Sequence, residues 1–174
     1  MRTDDHNRRR IVNGGYSLVE LMIVIAIMTV MVGVISVGVS VMFSKDAEAA
    51  AKIIDDELSE VRMLSMSKNG KFEMILSFDY DDTSKNKIVI ERDDSPIKTV
   101  DIGKKAKISV EYGGATLTSG DVVIEFDKGN GSVKRIDGAA VSGICTFTAT
   151  GSRIASRVSN VDLVVLTGRH YVRK

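Results

Sequence analysis

The sequence predicts an α+β fold in which a long N-terminal helix packs against one or two antiparallel sheets. Two observations lead to this prediction. Residues 21–43 form a run of 23 uncharged positions, 18 of them apolar, and an amphipathic helical pattern follows directly. From residue 71 onward, segments with alternating and β-branched residues recur, separated by turn residues. The uncharged run excludes a simple soluble chain, although the formal net charge of the 174 residues is only +1.

The near-neutral total conceals an uneven distribution of charge. Residues 1–15 have a net charge of +2, residues 45–127 a net of −6, and residues 128–174 a net of +6. The cluster Arg8, Arg9 and Arg10 precedes the uncharged run, which is long enough as a helix to cross about 30 Å of hydrocarbon. By the positive-inside rule, the N-terminus stays in the cytoplasm and the chain after residue 43 is exported.

Three interpretations of the N-terminal segment compete: a cleaved secretory signal, a plain signal anchor and a more specialised signal. Ala47-Glu48-Ala49 could serve as a secretory cleavage site, but the apolar run exceeds the roughly 7 to 15 residues of such signals. Glu20 lies at the edge of the apolar run, where a carboxylate is costly and calls for a partner. Its own helix offers none, which disfavours the plain anchor.

These residues resemble the class III signal of type IV pilins and pseudopilins. A short basic leader ends in Gly15, the aromatic Tyr16 takes the first mature position, and Glu20 takes the fifth, before a hydrophobic helix. The resemblance implies a pilin-like fold, cleavage between Gly15 and Tyr16 by prepilin peptidase, and methylation of the new amino group of Tyr16. It also implies assembly with other pilin or pseudopilin subunits into a helical filament, with an inner-membrane assembly platform as a further partner.

The resemblance also predicts how the chain is divided into segments. Residues 1–15 are predicted to be a leader peptide, and residues 16–43 a helix that spans membrane lipid first and forms filament core later. Residues 44–69 continue as an amphipathic helix, and residues 70–174 form an exported antiparallel β domain. The expected location is the cytoplasmic (inner) membrane, crossed once with the N-terminus inside, and afterwards an extracellular or periplasmic filament.

Two roles for Glu20 stay open. Its carboxylate can pair with the α-amino group of Tyr16 in a neighbouring subunit and so set the axial stagger of a filament. Alternatively, it lies at the cytoplasmic interface as a helix N-terminal acid that the helix dipole favours. The first role would apply to a subunit in a filament, and the second to a subunit that is still in the membrane.

The kind of subunit is less well defined by the residues. Many family members have a proline where this chain has Val37, and many major pilins have a C-terminal cysteine pair that is missing here. The strand-rich end resembles the β domain of minor pseudopilins of the H type in type II secretion. A pilus, a type II secretion pseudopilus and a competence pseudopilus all stay open, and the alternative is a monomeric, signal-anchored extracytoplasmic β-domain binding module.

After the leader, one continuous helix and nine strands are expected. The helix is predicted over residues 17–68, ending at Asn69-Gly70, with a buried stripe at spacings of three and four. That stripe comprises Ala47, Ala50, Ala51, Ile54, Leu58, Val61 and Ser65. The predicted strands are residues 71–78, 87–92, 98–102, 107–112, 122–127, 132–136, 143–149, 153–158 and 163–166. The single Pro96 predicts only a bend.

The residue chemistry points away from an enzyme, a cofactor or a metal site. Cys145 is unpaired and alternates in phase with Phe147, which predicts a small buried hydrophobe. One Cys with His6 and His170 lacks metal-ligand spacing. The acidic segment Asp79-Tyr80-Asp81-Asp82 lacks the glycine of a calcium loop and predicts a solvated turn. No nucleophile-elbow pattern surrounds any serine.

The basic C-terminal end has two interpretations. Arg153, Arg157, Arg169, Arg173 and Lys174 could track the phosphates of DNA, as certain minor pilins of DNA-uptake machines are thought to do. Alternatively, these cations meet the acidic middle segment, within the subunit or between neighbours in a filament. The equal and opposite net charges favour the second interpretation, because complementary charge steers assembly.

Overall fold

The computed structural model describes residues 17–103, 106–151 and 158–173. Within these residues there are one long helix, a short 3₁₀ turn at Thr83–Lys85 and ten strands. Helix α1 spans Leu18–Ser67. The strands are β1 Phe72–Asp79, β2 Lys87–Arg92, β3 Ser95–Asp101, β4 Ala106–Tyr112, β5 Ala115–Leu117, β6 Ser119–Phe126, β7 Val133–Ile136, β8 Ile144–Gly151, β9 Val158–Val164 and β10 Arg169–Arg173. The chain divides into two compact units, Met1–Gly38 and Val39–Lys174.

The strands of the second unit form two five-stranded antiparallel sheets. The first sheet has the order β3-β2-β1-β6-β7, and the second has the order β10-β9-β8-β4-β5. Every strand pairing is antiparallel. The predicted α+β class, with an N-terminal helix and antiparallel sheets, is therefore confirmed, and the number of sheets is two.

The part of α1 in the second unit buries one face. All seven residues of the expected stripe are buried: Ala47, Ala50, Ala51, Ile54, Leu58, Val61 and Ser65. The helix ends at Ser67, after which the Lys68 N–H still donates to the Leu64 carbonyl at 2.9 Å. Gly70 then takes a φ of +128°, a backbone conformation that glycine adopts easily. The chain can therefore turn directly from the helix into β1.

One hydrophobic core joins this helix face to both sheets. Ile54 and Leu58 belong to the same buried cluster as Met74 and Ile90 of the first sheet and Phe147 of the second. β1 shows the underlying pattern, because buried and half-buried positions alternate along all eight residues. Burial of one face of each sheet against shared apolar side chains supplies the main stabilisation of this unit.

Two tight hairpins set the register of the edge strands. β4 and β5 are joined by Gly113 and Gly114, with φ values of +59° and +81°. β2 and β3 are joined by Asp93 and Asp94, with φ values of +50° and +61°. Two consecutive positive φ values match the right-handed twist of paired strands, and aspartate tolerates this region better than most residues.

Several expected strand boundaries need correction. The predicted strand at residues 163–166 is wrong, because β9 ends at Val164 and a turn leads into β10, which the sequence did not predict. β5 was also not predicted. Pro96 does not make a bend: it lies within β3, an edge strand, beside a register shift at Ile90 and Glu91. An edge strand accepts proline because one side of its backbone needs no partner. Residues 153–157 of another predicted strand lie outside the described residues.

Candidate functional site

The described helix begins with a polar cap. The Ser17 hydroxyl accepts a hydrogen bond from the Val19 N–H at 3.3 Å, and the Ser17 carbonyl accepts from the Leu21 N–H at 3.1 Å. Glu20 lies in the first turn of α1, three residues after the cap, and its side chain is exposed. This position suits an acid, because unpaired N–H groups give the helix N-terminus a partial positive charge. The carboxylate is therefore accessible to a partner from outside its own helix.

The helix that follows Glu20 is apolar and exposed around its whole circumference. Every residue from 17 to 33 has an exposed side chain, including Leu18 at 76% and Val30 at 68%. The Thr29 hydroxyl donates to the Ala26 carbonyl at 2.8 Å, so the hydroxyl is satisfied within the helix. A helix that is apolar on all sides is typical of a segment buried by other molecules or by other parts of a large core.

An apolar groove runs along this segment. Its lining residues are Ile23, Ala26, Ile27, Val30 and Met31, which are spaced as i, i+3, i+4, i+7 and i+8. Side chains at this spacing lie on one face and can receive the side chains of another helix. In the part of the chain that the structure describes, no helix reaches both the length and the hydropathy of a membrane span.

The expected processing residues adjoin this segment. Gly15 and Tyr16 lie outside the described residues, the first of which is Ser17. On the helical side of the expected cleavage site there are a capped first turn, an exposed carboxylate and an exposed apolar surface.

Comparison with known protein families matches this same segment. Residues 12–36 match a family model described as the prokaryotic N-terminal methylation motif. This motif marks the chain as a prepilin-type substrate of prepilin peptidase. The chain thus carries the class III prepilin signal of the type IV pilin and pseudopilin family, as the sequence predicted. Such signals belong to structural pilin-type subunits, which are generally non-enzymatic and assemble with other pilins. No curated protein and no solved structure matches the chain.

Two of the five basic residues predicted at the C-terminal end lie within the described residues. Arg169 and Arg173 lie on β10 with exposed side chains, and Tyr171 between them is 49% exposed on the same face. The Arg173 Nε lies 3.3 Å from Oδ2 of Asp162, a buried carboxylate on the adjacent strand. Arg153, Arg157 and Lys174 lie outside the described residues.

The acidic segment after β1 is a turn held together by its own carboxylates. Asp79 Oδ1 accepts hydrogen bonds from the Asp81 and Asp82 N–H groups at 3.0 and 3.1 Å. These bonds and the Lys85 ammonium hold the pKa of Asp79 below its ordinary value. Asp82 accepts from the N–H and hydroxyl of Ser84, and its pKa is lowered as well. Among the described residues, no group of three or more potential ligands is arranged to hold a metal ion.

Cys145 lies in the core, as its alternation with Phe147 predicted. Its side chain has no exposed surface, and burial raises the pKa of the thiol to about 12, with a further contribution from the Asp137 charge. A thiol that stays protonated is a poor nucleophile and a poor metal ligand. The residue therefore acts as a small apolar side chain.

A serine–histidine contact was not predicted from the sequence. The Ser59 hydroxyl lies 2.7 Å from His170 Nε2, and Asp55 Oδ1 lies 3.8 Å from the same nitrogen. His170 Nδ1 faces the Gly168 carbonyl at 3.3 Å. In a hydrolytic triad the acid holds Nδ1 while the serine faces Nε2. Here both side chains face Nε2, so the contact joins α1 to β10 without the orientation that a triad requires.

Proposed function

We propose that this chain is a prepilin-like structural subunit that assembles into a type IV pilus, a type II secretion pseudopilus or a competence pseudopilus. One observation carries the proposal: the methylation motif at residues 12–36 coincides with the helical segment whose side chains are exposed on every side. An exposed apolar surface of this kind must be covered by lipid or by other protein. A subunit that moves from a membrane into a filament core meets both conditions in turn.

The membrane stage follows from charge and hydropathy in the sequence. The uncharged run of residues 21–43 continues past the described side chains, and Arg8, Arg9 and Arg10 precede it. The positive-inside rule then orients the chain with its N-terminus in the cytoplasm and the residues after 43 outside. Cleavage between Gly15 and Tyr16 removes the basic leader after insertion, and methylation modifies the new amino group.

Glu20 is proposed to direct assembly. A carboxylate in an apolar filament core is costly unless a cation neutralises it. The α-amino group of Tyr16 in a neighbouring subunit is such a cation, and it lies at the same end of the helix. Pairing between subunits would fix the axial offset of one helix against the next. The exposed position of Glu20 in the first turn is consistent with this role.

The subunit is proposed to be minor. The missing proline and cysteine pair argue against a major adhesive pilin. Cys145 is free, buried and the single cysteine of the sequence, so no internal disulfide can form in the exported unit.

Coexpression with a prepilin peptidase, followed by N-terminal sequencing, tests the processing step. We expect a new N-terminus at methylated Tyr16. Gly15→Val should block the cut, because the bulky side chain adjoins the bond to be cleaved, whereas the matched change Gly14→Val should permit it. An intact Met1, or a cut after Ala49, would refute the proposal and favour a plain anchor or a secretory signal.

Assembly is tested separately at Glu20. Glu20→Val should leave membrane insertion intact and strongly reduce incorporation into filaments, because the carboxylate partner of the α-amino group is lost. Glu20→Asp keeps the charge and serves as the matched control, with incorporation closer to that of the unmodified chain. Equal incorporation of the valine variant and the unmodified chain would contradict the pairing role.

A second candidate function is DNA binding by the exported unit, as in a minor pilin of an uptake machine. Arg169, Tyr171 and Arg173 share one face of β10, and cations beside an exposed aromatic ring suit a single-stranded nucleic acid. The pairing of Arg173 with Asp162 reduces the charge that phosphates would meet. Binding that weakens steeply with salt and is reduced by Arg169→Gln would support this function, and salt-independent binding would exclude it.

A further inference from the structure

A cavity of about 460 Å³ lies beside the end of α1, within the exported unit. Its walls come from three places: Ser65 of the helix, Phe72 of β1, and the end of β6 with the following loop and β7. The polar lining residues include Glu125, Lys128, Lys134 and Arg135. Cavities of about 300–1,000 Å³ hold small organic molecules, whereas a bare ion needs far less space.

Some of the charged side chains that line this cavity already have ion-pair or hydrogen-bond partners. Glu125 is buried and receives the Lys134 ammonium at 2.6 Å, so these two charges offset each other. Asp127 Oδ1 accepts hydrogen bonds from the Gly129 and Asn130 N–H groups. Lys71 pairs with Glu73 at 2.9 Å.

Two lining cations differ from the others. Among the described residues, Lys128 and Arg135 have no carboxylate within ion-pair distance. Their side chains are exposed and line the cavity, so they can meet an incoming anion without first breaking an ion pair. A guanidinium such as that of Arg135 offers two parallel N–H groups, which match a carboxylate or a phosphate.

Ser65 forms a buried part of the cavity wall. It is only 2% exposed, and its hydroxyl oxygen is buried with no hydrogen-bond partner within the described part of the chain. The oxygen is therefore not accessible to a ligand in the cavity. Glu125 pairs with Lys134 through one carboxylate oxygen, and its second oxygen can accept a hydrogen bond from a ligand.

We propose that this cavity binds a small hydroxylated organic anion, of the uronic-acid or sugar-phosphate type. Arg135 and Lys128 bind its carboxylate or phosphate, while Glu125 accepts a hydrogen bond from one of its hydroxyl groups. A neutral sugar lacks the group that the two cations recognise, and inorganic phosphate lacks the hydroxyls and fills only part of the volume. This binding is independent of the proposed role as a filament subunit.

Isothermal titration calorimetry of the full chain in detergent micelles tests the proposal with three probes: glucuronate, glucose 6-phosphate and glucose. We expect at least one of the two anions to bind with a dissociation constant below about 1 mM, and glucose to bind at least about tenfold more weakly. The tighter of the two anions identifies which charged group the site prefers. Binding of neither anion, or equal binding of glucose, would overturn the proposal.

Variants locate the site. Arg135→Gln should weaken anion binding by about tenfold or more because it removes a charged hydrogen bond. Lys87→Gln removes an exposed lysine of β2 that pairs with Ser77, at the opposite end of β1 from Phe72, and should leave binding unchanged. Lys128→Gln repeats the charge test should Arg135→Gln unfold. An equal loss in Lys87→Gln and Arg135→Gln would show diffuse attraction to basic surface and would refute the assigned site.

Discussion

Gly168 lies where a turn of each sheet and the helix meet, and alanine at this position should destabilise the Val39–Lys174 unit strongly. Gly168 has a φ of +63° in the turn between β9 and β10. A Cβ built there would lie 1.8 Å from the Gly131 carbonyl oxygen, which is backbone and cannot rotate aside. The same carbonyl accepts a hydrogen bond from Arg62 Nε at 2.9 Å. Relieving the clash therefore separates the two turns and disturbs the contact with α1.

Gly138 allows the cost of the positive φ to be measured separately from the cost of the steric clash. Its φ is +74°, close to that of Gly168, but no atom lies within 4 Å of a Cβ placed there. Gly138→Ala should therefore cost only the left-handed backbone term, about 1 kcal/mol of unfolding free energy. Gly168→Ala adds a forced backbone shift and a weakened hydrogen bond from Arg62, so we expect about 3 kcal/mol in total.

Urea unfolding of the full chain in detergent micelles, followed by the β-sheet signal in circular dichroism, measures both variants. The difference between them, about 2 kcal/mol, reports the close approach of the two turns. Equal destabilisation of the two variants would mean that Gly168 and Gly131 are not in contact in the folded protein, and it would refute this prediction.

Three further predictions concern the side chains of Lys98, Tyr112 and Cys145. Lys98→Met removes the ammonium that lies 2.7 Å from buried Glu57, and it should cost about 1–2 kcal/mol in urea unfolding because the lysine is partly solvated; a second change, Glu57→Gln, should recover part of the loss. The hydrogen bond to Asp137, together with burial, raises the pKa of Tyr112 to about 12. The stabilisation of the fold by this hydrogen bond is therefore fully present below pH 10 and is lost as the pH rises through 12. Tyr112→Phe should remove the ionisation near pH 12 from an ultraviolet titration. Cys145 should resist iodoacetamide at pH 8 in the folded chain and react rapidly in urea, and rapid labelling of the folded chain would contradict its burial.

Helical periodicity in the sequence was sufficient to predict the buried face of α1. Residues such as Ile54, Leu58 and Val61 recur at spacings of three and four, and a helix places such residues on one side regardless of the partner. Even Ser65 follows the pattern and is buried. The pattern could not indicate that its hydroxyl lacks a partner, because that depends on strands far away in the sequence.

Strands at the edges were harder to predict than central strands. β10 alternates charged or polar residues with Tyr171 and Val172, so its hydrophobic signal is weak. The apolar run at residues 163–166 suggested a continuous strand, but Gly168 and its positive φ produce a turn there. β3 contains a proline, which would argue against a central strand and is acceptable at an edge. For β3 and β10 the pairing with a neighbouring strand decided the structure, whereas the local Gly168 decided the turn before β10.

The N-terminal site and the cavity differ in how far sequence could predict them. Gly15, Tyr16 and Glu20 lie within six consecutive residues, so a linear motif defines them. The cavity joins Ser65, Glu125 and Arg135, which come from a helix and two strands and which only the folded chain brings together. Charge counts showed a basic end but could not distinguish paired cations from unpaired ones.

The distribution of ion pairs refines the relation between the acidic middle and the basic end of the chain. Lys134 and Glu125 join the two segments, but Lys98 pairs with acids of its own segment, as Arg173 does with Asp162. The opposite charges therefore neutralise each other only in part within the described subunit. Pairs that are exposed on both sides contribute about 0–1 kcal/mol each, whereas Lys98, Lys134 and Arg173 each meet a buried carboxylate. The remaining charge asymmetry is better suited to recognition, because long-range attraction acts on a neighbouring subunit or an anionic ligand before contact.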